Sequence, residues 1–400
     1  MNKEDGAMVT PASDVVVIGA GVVGSAVAYF LAGQGVKVTV IDGNAIGSGA
    51  SLHGTGMVWQ LIWNNKTQYE LAKEGRDLMY DVVPRLHDQT GLDTRLHTFD
   101  TLLAIFDDVD MKFIERDLEV SNGDVTLEWL SREELLKLEP RINPEVKRGA
   151  VLRGTSQIDG YRLTLAQARA AELHGTEYLT RQATGLEIQK DRVTGVSYAG
   201  GVIPCGAVVI AMGAWSGAAS EWLGFPVPVR PLKGETIRIR HPEPFPYAIR
   251  RNSGGGISPF KDGLHSLGAT GTNRFDDTAD DLVKLEFDAS GTPEGRHHML
   301  QRSLYVIPDL ERAEIVEHLA GPRPLSADGM PVIGPVPGVE GAYIATGHRN
   351  KGIHLSTITG KIIADFIVKG RAEVNTPLDI FLPQRFSQTD VSFKVAGVKV

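Results

Sequence analysis

The sequence predicts a mixed α/β protein of two domains, one on a parallel sheet and one on a mixed, largely antiparallel sheet. Its 400 residues exceed the ~250–300 at which a single core usually stops growing. The N-terminal segment reads as strand, glycine turn, helix and second strand, the order of a parallel β–α–β unit. Residues 233–240, 256–263 and 264–270 alternate polar and apolar side chains, which is typical of half-exposed strands.

Composition and charge exclude several classes of function. Hydrophobic residues at 42% and charged residues at 22% are ordinary for a soluble enzyme, and a net charge of −8 argues against a nucleic-acid partner. A single cysteine, Cys205, excludes an intrachain disulfide framework and a cysteine-rich metal site. We therefore expect no metal centre and a cytoplasmic protein.

One uncharged stretch, residues 15–36, is long enough to span a bilayer. The residues before it lack the basic character of a signal peptide, and a second strand follows it at once. We therefore predict a buried strand, turn and helix here, and no membrane span.

The glycines of this stretch predict a Rossmann-like nucleotide-binding turn. Residues 15–18 form a short β-branched run, as expected for a central parallel strand. Gly19, Gly21 and Gly24 follow as G-x-G-x-x-G, which permits the turn, the approach of a pyrophosphate and close helix packing. The helix N-terminus favours the phosphates, and Asp42 ends the next strand, where a carboxylate accepts from ribose hydroxyls. This pattern serves NAD and FAD equally.

The rest of the chain favours FAD. A glycine-rich segment and a long helical stretch at 67–91, ended by Gly91, replace the strand–helix repeats of an NAD dehydrogenase. Four further segments, 158–175, 208–217, 321–334 and 347–367, resemble those of the D-amino-acid oxidase-like (DAO) family of FAD-dependent oxidoreductases. That family includes glycine oxidase, sarcosine oxidase and dimethylglycine dehydrogenase.

The resemblance implies a discontinuous FAD-binding domain and a list of cofactor contacts. The domain would comprise residues 12–90, 150–225 and 325–375, the substrate-binding domain 91–149 and 226–324, and the C-terminal tail 376–400. Besides the nucleotide turn and Asp42, the expected FAD-binding residues are Ser51, His53, Gly54, Thr55, Gly56, Met57, Ala183, Gly213, Trp215, Gly347, Asn350, Lys351, Gly352 and Ile353.

His53 has a specific interpretation within the family. The segment "SLHGTGM" is similar to a loop whose histidine, in dimethylglycine-oxidising members, is bonded covalently to the flavin 8α-carbon. The resemblance therefore implies FAD attached through His53. The alternative is a noncovalent histidine that packs or hydrogen-bonds beside the ring.

On the substrate side, Arg323 matches the family arginine that grips the substrate carboxylate, since a guanidinium can make two parallel bonds to it. Gly256 stands where glycine oxidase-like relatives carry a tyrosine that closes the pocket, which suggests a bulkier substrate. Arg250 and Arg251 are candidates for a second acidic group. Trp59 is a candidate for the pocket wall, with core packing as the alternative.

The resemblance implies oxidation of the C–N bond of an amino acid or N-methyl amino acid. The α-hydrogen leaves as hydride to flavin N5 without a catalytic base, and water hydrolyses the resulting imine. His348 and Lys351 are expected near the flavin pyrimidine ring, where either could stabilise reduced flavin; the alternative is a helix-start or surface role.

Two aspects stay open at this point, the electron acceptor and the assembly. The expected acceptor is O2. The alternatives are a dehydrogenase subunit that passes electrons to a partner protein or quinone, and a non-catalytic flavin-bearing component of a complex. A homo-oligomer and a heteromeric complex are both compatible with the sequence.

Overall fold

The computed structural model describes residues 13–260, 263–267 and 289–387. Residue 12, parts of two expected strands (261–262 and 268–270) and the C-terminal tail from 388 lie outside the described residues. The strands are β1 (Ser13–Ile18), β2 (Val38–Asp42), β3 (Met57–Val58), β4 (His97–Ile105), β5 (Glu128–Ser131), β6 (Arg148–Gln157), β7 (Glu177–Thr180), β8 (Ala183–Gln189), β9 (Arg192–Tyr198), β10 (Gly201–Ile210), β11 (Val229–Arg240), β12 (Ala248–Arg250), β13 (Gly256–Pro259), β14 (His265–Leu267), β15 (Glu314–Ser326), β16 (Val332–Pro335) and β17 (Ala342–Thr346). The α-helices are α1 (Val22–Ala32), α2 (Ala50–His53), α3 (Lys66–Thr90), α4 (Asp108–Val120), α5 (Arg132–Leu138), α6 (Gly160–Leu173), α7 (Ala219–Leu223), α8 (Pro293–Val306) and α9 (Gly352–Lys369).

The first sheet has the order β16-β17-β10-β1-β2-β7, and β8 and β9 join it through β10. β1 pairs in parallel with β2 and β10, and β10 pairs in parallel with β17. Val16 and Val17 are both fully buried although they point to opposite faces, because packed layers cover both sides of the sheet. The predicted strand–turn–helix–strand start is confirmed.

The second sheet has the order β15-β11-β14-β13-β12-β4-β6-β3, and β5 pairs with β6. Its pairs are antiparallel except β12–β4. The predicted mixed α/β class is therefore confirmed, with a parallel and a largely antiparallel sheet in one chain.

One predicted domain boundary differs from the structure. Residues 150–157 were expected in the FAD-binding domain, but they form most of β6 in the second sheet. Their backbone groups pair with β4 along almost its whole length, from His97↔Gln157 to Ile105↔Arg148. The chain therefore stays in the second sheet to the end of β6 and leaves it just before α6.

The long helix α3 forms as the sequence predicts. The side chain of Asn65 accepts from the N–H of Gln68 at its start, and Gly91 ends it in the left-handed region at φ 70°. Its buried stripe includes Leu71, Met79 and Leu86. In the described part of the chain, we find no helix that combines the length and apolar character needed to cross a bilayer.

Candidate active site

A cavity of about 730 Å³ lies against both sheets. At one end it is lined by Gly19 and Asp42, from the carboxyl ends of β1 and β2. At the other it reaches Thr101, Ser258 and Ser266, on strands of the second sheet. In open α/β sheets, ligands bind at the carboxyl ends of the strands, so this cavity is the candidate site.

The nucleotide end of the cavity is shaped by glycine and by backbone N–H groups. Gly19 has φ 111°, and a β-carbon there would overlap the Ala211 carbonyl. Asp42 accepts from the N–H of Ala20 and of Asn44, both at 2.8 Å, so its carboxylate fixes the turn and the loop together. Burial raises the pKa of Asp42, and these two hydrogen bonds oppose that shift. Each oxygen keeps a lone pair that a ribose hydroxyl can use.

The predicted site residues divide into those that line the cavity and those that support it. Gly24, Gly56, Gly347 and Lys351 are not among the lining residues that the structure describes. A β-carbon on Gly24 would overlap the Gly19 carbonyl and one on Gly56 the Ile158 carbonyl, so these glycines serve close packing. The predicted residues that do line the cavity are Gly19, Gly21, Asp42, Ser51, His53, Gly54, Thr55, Met57, Trp59, Ala183, Gly213, Trp215, Arg250, Arg251, Gly256, Arg323, His348, Asn350, Gly352 and Ile353.

His53 ends the short helix α2 and packs against β15. A β-carbon on Gly321 would come within 2.8 Å of the His53 β-carbon, so glycine at 321 makes room for the imidazole. Its Nδ1 is buried and has no hydrogen-bond partner among the described residues. Burial lowers the pKa of His53, and the charge of Arg238 lowers it further. Both effects favour the neutral ring, in which one of the two nitrogens carries a lone pair.

Arg323 presents a cation to the cavity. It lies on β15 opposite Leu232, and its guanidinium runs beside Gly234, where any β-carbon would overlap it. It makes no hydrogen bond or ion pair within the described residues. Burial, and then the charge of Arg349, lower the pKa of Arg323 to about 10, while Glu235 opposes the shift. It stays charged at neutral pH, so an anionic ligand group would be its natural partner.

Arg349 is a lining residue to which the sequence reasoning gave no role. It has φ 53°, rare for a residue other than glycine, and its N–H donates to the Pro324 carbonyl at 2.8 Å. This bond places Arg349 and Asn350 beside the Arg323 segment, and both line the cavity. No residue type in this turn predicts the positive φ, because it depends on the hydrogen bond to Pro324 in the tertiary structure.

Arg250 and Arg251 have different environments. Arg251 donates to Asp107 at 2.6 Å and to Asp110 at 3.0 Å, which uses its charge within the protein. Arg250 makes no such pair among the described residues, and its guanidinium lies over the Trp59 ring, 4.9 Å from the centroid. Burial lowers the pKa of Arg250, and the charge of Asp117 opposes that shift. Arg250 is therefore the arginine of this pair that is available to a ligand.

Gly256 lies opposite Arg250 in the β12–β13 pair and lines the cavity. Its φ is 142°, and a β-carbon would overlap the Ile249 carbonyl. This backbone admits glycine only, so residue 256 contributes no side chain to the cavity.

His348 and Lys351 are both buried but differ in their position relative to the cavity. His348 lines it, bonds Thr359 at 3.0 Å, and has its pKa lowered to about 4 by burial. The Lys351 ammonium donates to the Ile62 carbonyl at 2.8 Å and lies over the Trp63 ring. Its pKa is lowered to about 7, chiefly by burial. The ammonium is thus held by the Ile62 carbonyl, and Ile62 itself lines the cavity.

Sequence reasoning also missed polar lining residues outside the quoted motifs. Asn44 and Gln182 lie at the nucleotide end, and Thr101, Thr236 and Ser258 on the sheet face. None belongs to a motif with a fixed spacing, because strand pairing alone brings them to the cavity. The described residues contain no cluster of three or more His, Cys, Asp or Glu side chains that could hold a metal ion.

Comparisons with known proteins agree with this geometry. Residues 14–366 match the family described as FAD dependent oxidoreductase. The chain is 30% identical over 360 residues to glycine oxidase of Geobacillus kaustophilus strain HTA426, covering 88% of this chain and 92% of that protein. The crystal structure of glycine oxidase from Geobacillus kaustophilus matches with a TM-score of 0.85 and 27% identity, covering 96% of this chain and 100% of the other. Iminodiacetate oxidase from Chelativorans sp. BNC1 matches with a TM-score of 0.81 and 25% identity, covering 92% and 98%.

Proposed function

The chain belongs to the DAO family of FAD-dependent oxidoreductases that oxidise the C–N bond of amino acids, and from this premise we propose that it is an oxidase of a primary or secondary amino acid with O2 as acceptor. The observation that carries the proposal is Arg323. Its guanidinium, which bonds no described residue, lies on the same cavity that begins at the glycine turn, so a carboxylate and a dinucleotide can be held side by side.

The residues present fit FAD. Gly21, at the start of α1, leaves no side chain in the path of a pyrophosphate, α1 offers its N-terminus, and Asp42 offers acceptors to the ribose. We propose that the FAD-binding domain comprises these elements with α3, α6, α9 and the rest of the first sheet. When bound, FAD supplies a two-electron acceptor at N5.

The protein's own part in the reaction is binding and orientation. Arg323 holds the substrate carboxylate with two parallel bonds and thereby fixes the α-carbon. The substrate loses its α-hydrogen as hydride and its N–H proton to solvent, and becomes an imine. Water converts the imine to an oxo acid, releasing ammonia from a primary and an amine from a secondary amino acid, and the two electrons reduce O2 to H2O2. Arg349, beside Arg323, adds positive charge to this end of the cavity.

We propose further that His53 carries the FAD covalently. The support is a neutral imidazole on the cavity wall whose buried Nδ1 has no partner in the described chain. His348, also neutral and buried, is proposed as a supporting residue, since its Nε2 is tied to Thr359. Lys351 is proposed to act at a distance, through the Ile62 loop.

The test is anaerobic titration of the purified holoenzyme with glycine, sarcosine and iminodiacetate, followed by admission of air. Loss of the oxidised-flavin absorbance and one H2O2 per turnover would support an oxidase. Reduction without peroxide would instead favour a dehydrogenase that passes electrons to a partner protein or quinone. A flavin that none of a panel of amines reduces would contradict the proposal and favour a non-catalytic component.

A further inference from the structure

The charges on the cavity wall are unbalanced towards positive. Arg250 and Arg323 line it without an ion pair to any described residue, whereas Asp42, at the nucleotide end, is the one carboxylate among the described lining residues. Arg323 suffices for a single substrate carboxylate. Arg250 therefore calls for an explanation, since an arginine without a partner inside a protein is unfavourable unless a ligand completes it.

Arg250 is held in place without being neutralised. Its guanidinium lies over Trp59, and the carboxylate whose charge acts on its pKa is Asp117. Asp117 is buried and already engaged, because it accepts from the Ile62 N–H and from Asn252 at 3.4 Å. Asp117 attracts Arg250 but forms no ion pair with it in the described chain, so the donors of Arg250 remain available.

Its neighbour shows the contrast. Arg251 is bonded to both Asp107 and Asp110, and Asp110 is fully buried. Both arginines line the cavity, but Arg251 is engaged by two carboxylates, whereas Arg250 pairs with none in the described chain.

Arg250 and Arg323 reach the cavity from separate places. Arg323 is on β15 and Arg250 on β12, with β11, β14 and β13 between them. The backbones of these two arginines are separated by four strand spacings of about 4.8 Å each. Such a separation suits one anionic group on each arginine better than a single anionic group bound by both. Gly256, opposite Arg250, lines the cavity and contributes no side chain to it.

We infer that the substrate is a dicarboxylic amino acid, whose α-carboxylate binds Arg323 and whose second carboxylate binds Arg250. The second carboxylate can stand on the N-substituent or on the side chain, since the same guanidinium would bind either. This inference rests on the proposed amino-acid oxidation and names its substrate class.

The experiment compares substrates that differ by one carboxylate. Sarcosine is paired with iminodiacetate, and alanine with aspartate, in each enantiomer, and kcat/KM is measured for each with the holoenzyme. We expect the dicarboxylate of at least one pair to be preferred by roughly 10- to 100-fold, the size of one charge-assisted interaction. The preferred pair identifies where the second carboxylate stands.

Arg250→Gln should remove most of that preference, and Arg250→Lys should retain part of it because the charge remains. Arg153→Gln is the control: it breaks the exposed ion pairs with Asp100 and Glu128, lies outside the described lining of the cavity, and should leave the preference between paired substrates unchanged. If Arg250→Gln does not fold, Arg250→Lys still tests the inference, because it should reduce the preference for the dicarboxylate.

Two results would overturn the inference: a wild-type enzyme that prefers monocarboxylates in every pair, or Arg250 variants that lower both members of a pair by the same factor. Failure of the proposed function looks different. Flavin reduction by a monocarboxylate alone refutes only the dicarboxylate inference, whereas flavin that no amine reduces refutes the oxidation itself.

Discussion

The guanidinium of Arg323 runs beside Gly234 on the neighbouring strand, and the space beside Gly234 that a β-carbon would need is filled by Nε and Cζ of Arg323. Two distant stretches of sequence thus share one small volume, in which the glycine sets the direction of the arginine. The carboxylate-binding group of the proposed site is therefore positioned by a residue that has no side chain.

Gly234→Ala should displace Arg323 and lower kcat/KM by roughly 10- to 100-fold, chiefly through KM, because a charged hydrogen bond of about 1.5–3 kcal/mol is lost or bent. FAD content should be unchanged. Gly185→Ala, on β8, is the control, since the nearest atom to its β-carbon would be 4.0 Å away. Equal kinetics for Gly234→Ala and wild type would show that Arg323 does not depend on Gly234.

His53→Ala should release the flavin. After acid precipitation, we expect the yellow colour of the wild type to stay with the protein pellet and that of His53→Ala to pass into the supernatant. His174→Ala, at an exposed helix end, serves as the control and should behave as wild type. Colour that leaves the wild-type pellet completely would refute covalent attachment and leave His53 as a residue packed beside the ring.

Asp42→Ala should weaken cofactor binding. The substitution removes the acceptor proposed for the ribose and also frees the N–H groups of Ala20 and Asn44, to which Asp42 is bonded. Because these bonds are charge-assisted, we expect the flavin-to-protein absorbance ratio of the purified enzyme to fall well below that of wild type. Asp88→Ala, exposed on α3, should retain the wild-type ratio. A full complement of FAD in Asp42→Ala would contradict the proposed ribose contact.

Lys351 should make stability depend on pH. Its pKa is about 7 in the folded protein against 10.5 when unperturbed, so between these values the unfolded chain holds a proton that the folded chain lacks. The free energy of unfolding should therefore rise with pH across this window, by at most about 1.4 kcal/mol per unit, and the gain should be lost as pH falls towards 7.

Denaturant unfolding of the holoenzyme at several pH values between about 7 and 9.5 tests this dependence. Lys351→Met should flatten the slope, whereas Lys112→Met, on the exposed face of α4, should keep it. If the free energy of unfolding changes with pH equally in wild type and Lys351→Met, the pKa of Lys351 is not lowered in the folded protein.

Much of the fold could be predicted because it depends on local chemistry. The glycine turn at 19–24 and the end of α3 at Gly91 each need a backbone that only a few residue types adopt, so the pattern is visible in the sequence. The position of β6 was harder to predict from the sequence, because its place in the second sheet depends on pairing with β4, some fifty positions away in the chain.

The sequence by itself determined the nucleotide-binding start, the two kinds of sheet and the presence of arginines suited to a carboxylate, since these follow from residue type and short-range spacing. Only the tertiary structure decided which arginines remain available. Arg251 meets Asp110 across 141 positions and Lys351 meets Ile62 across 289, so folding engages these two cations, while Arg250 and Arg323 find no such partner in the described chain. The physical reason is that a charge is neutralised by whatever lies within a few ångströms of it, and sequence separation does not fix that distance.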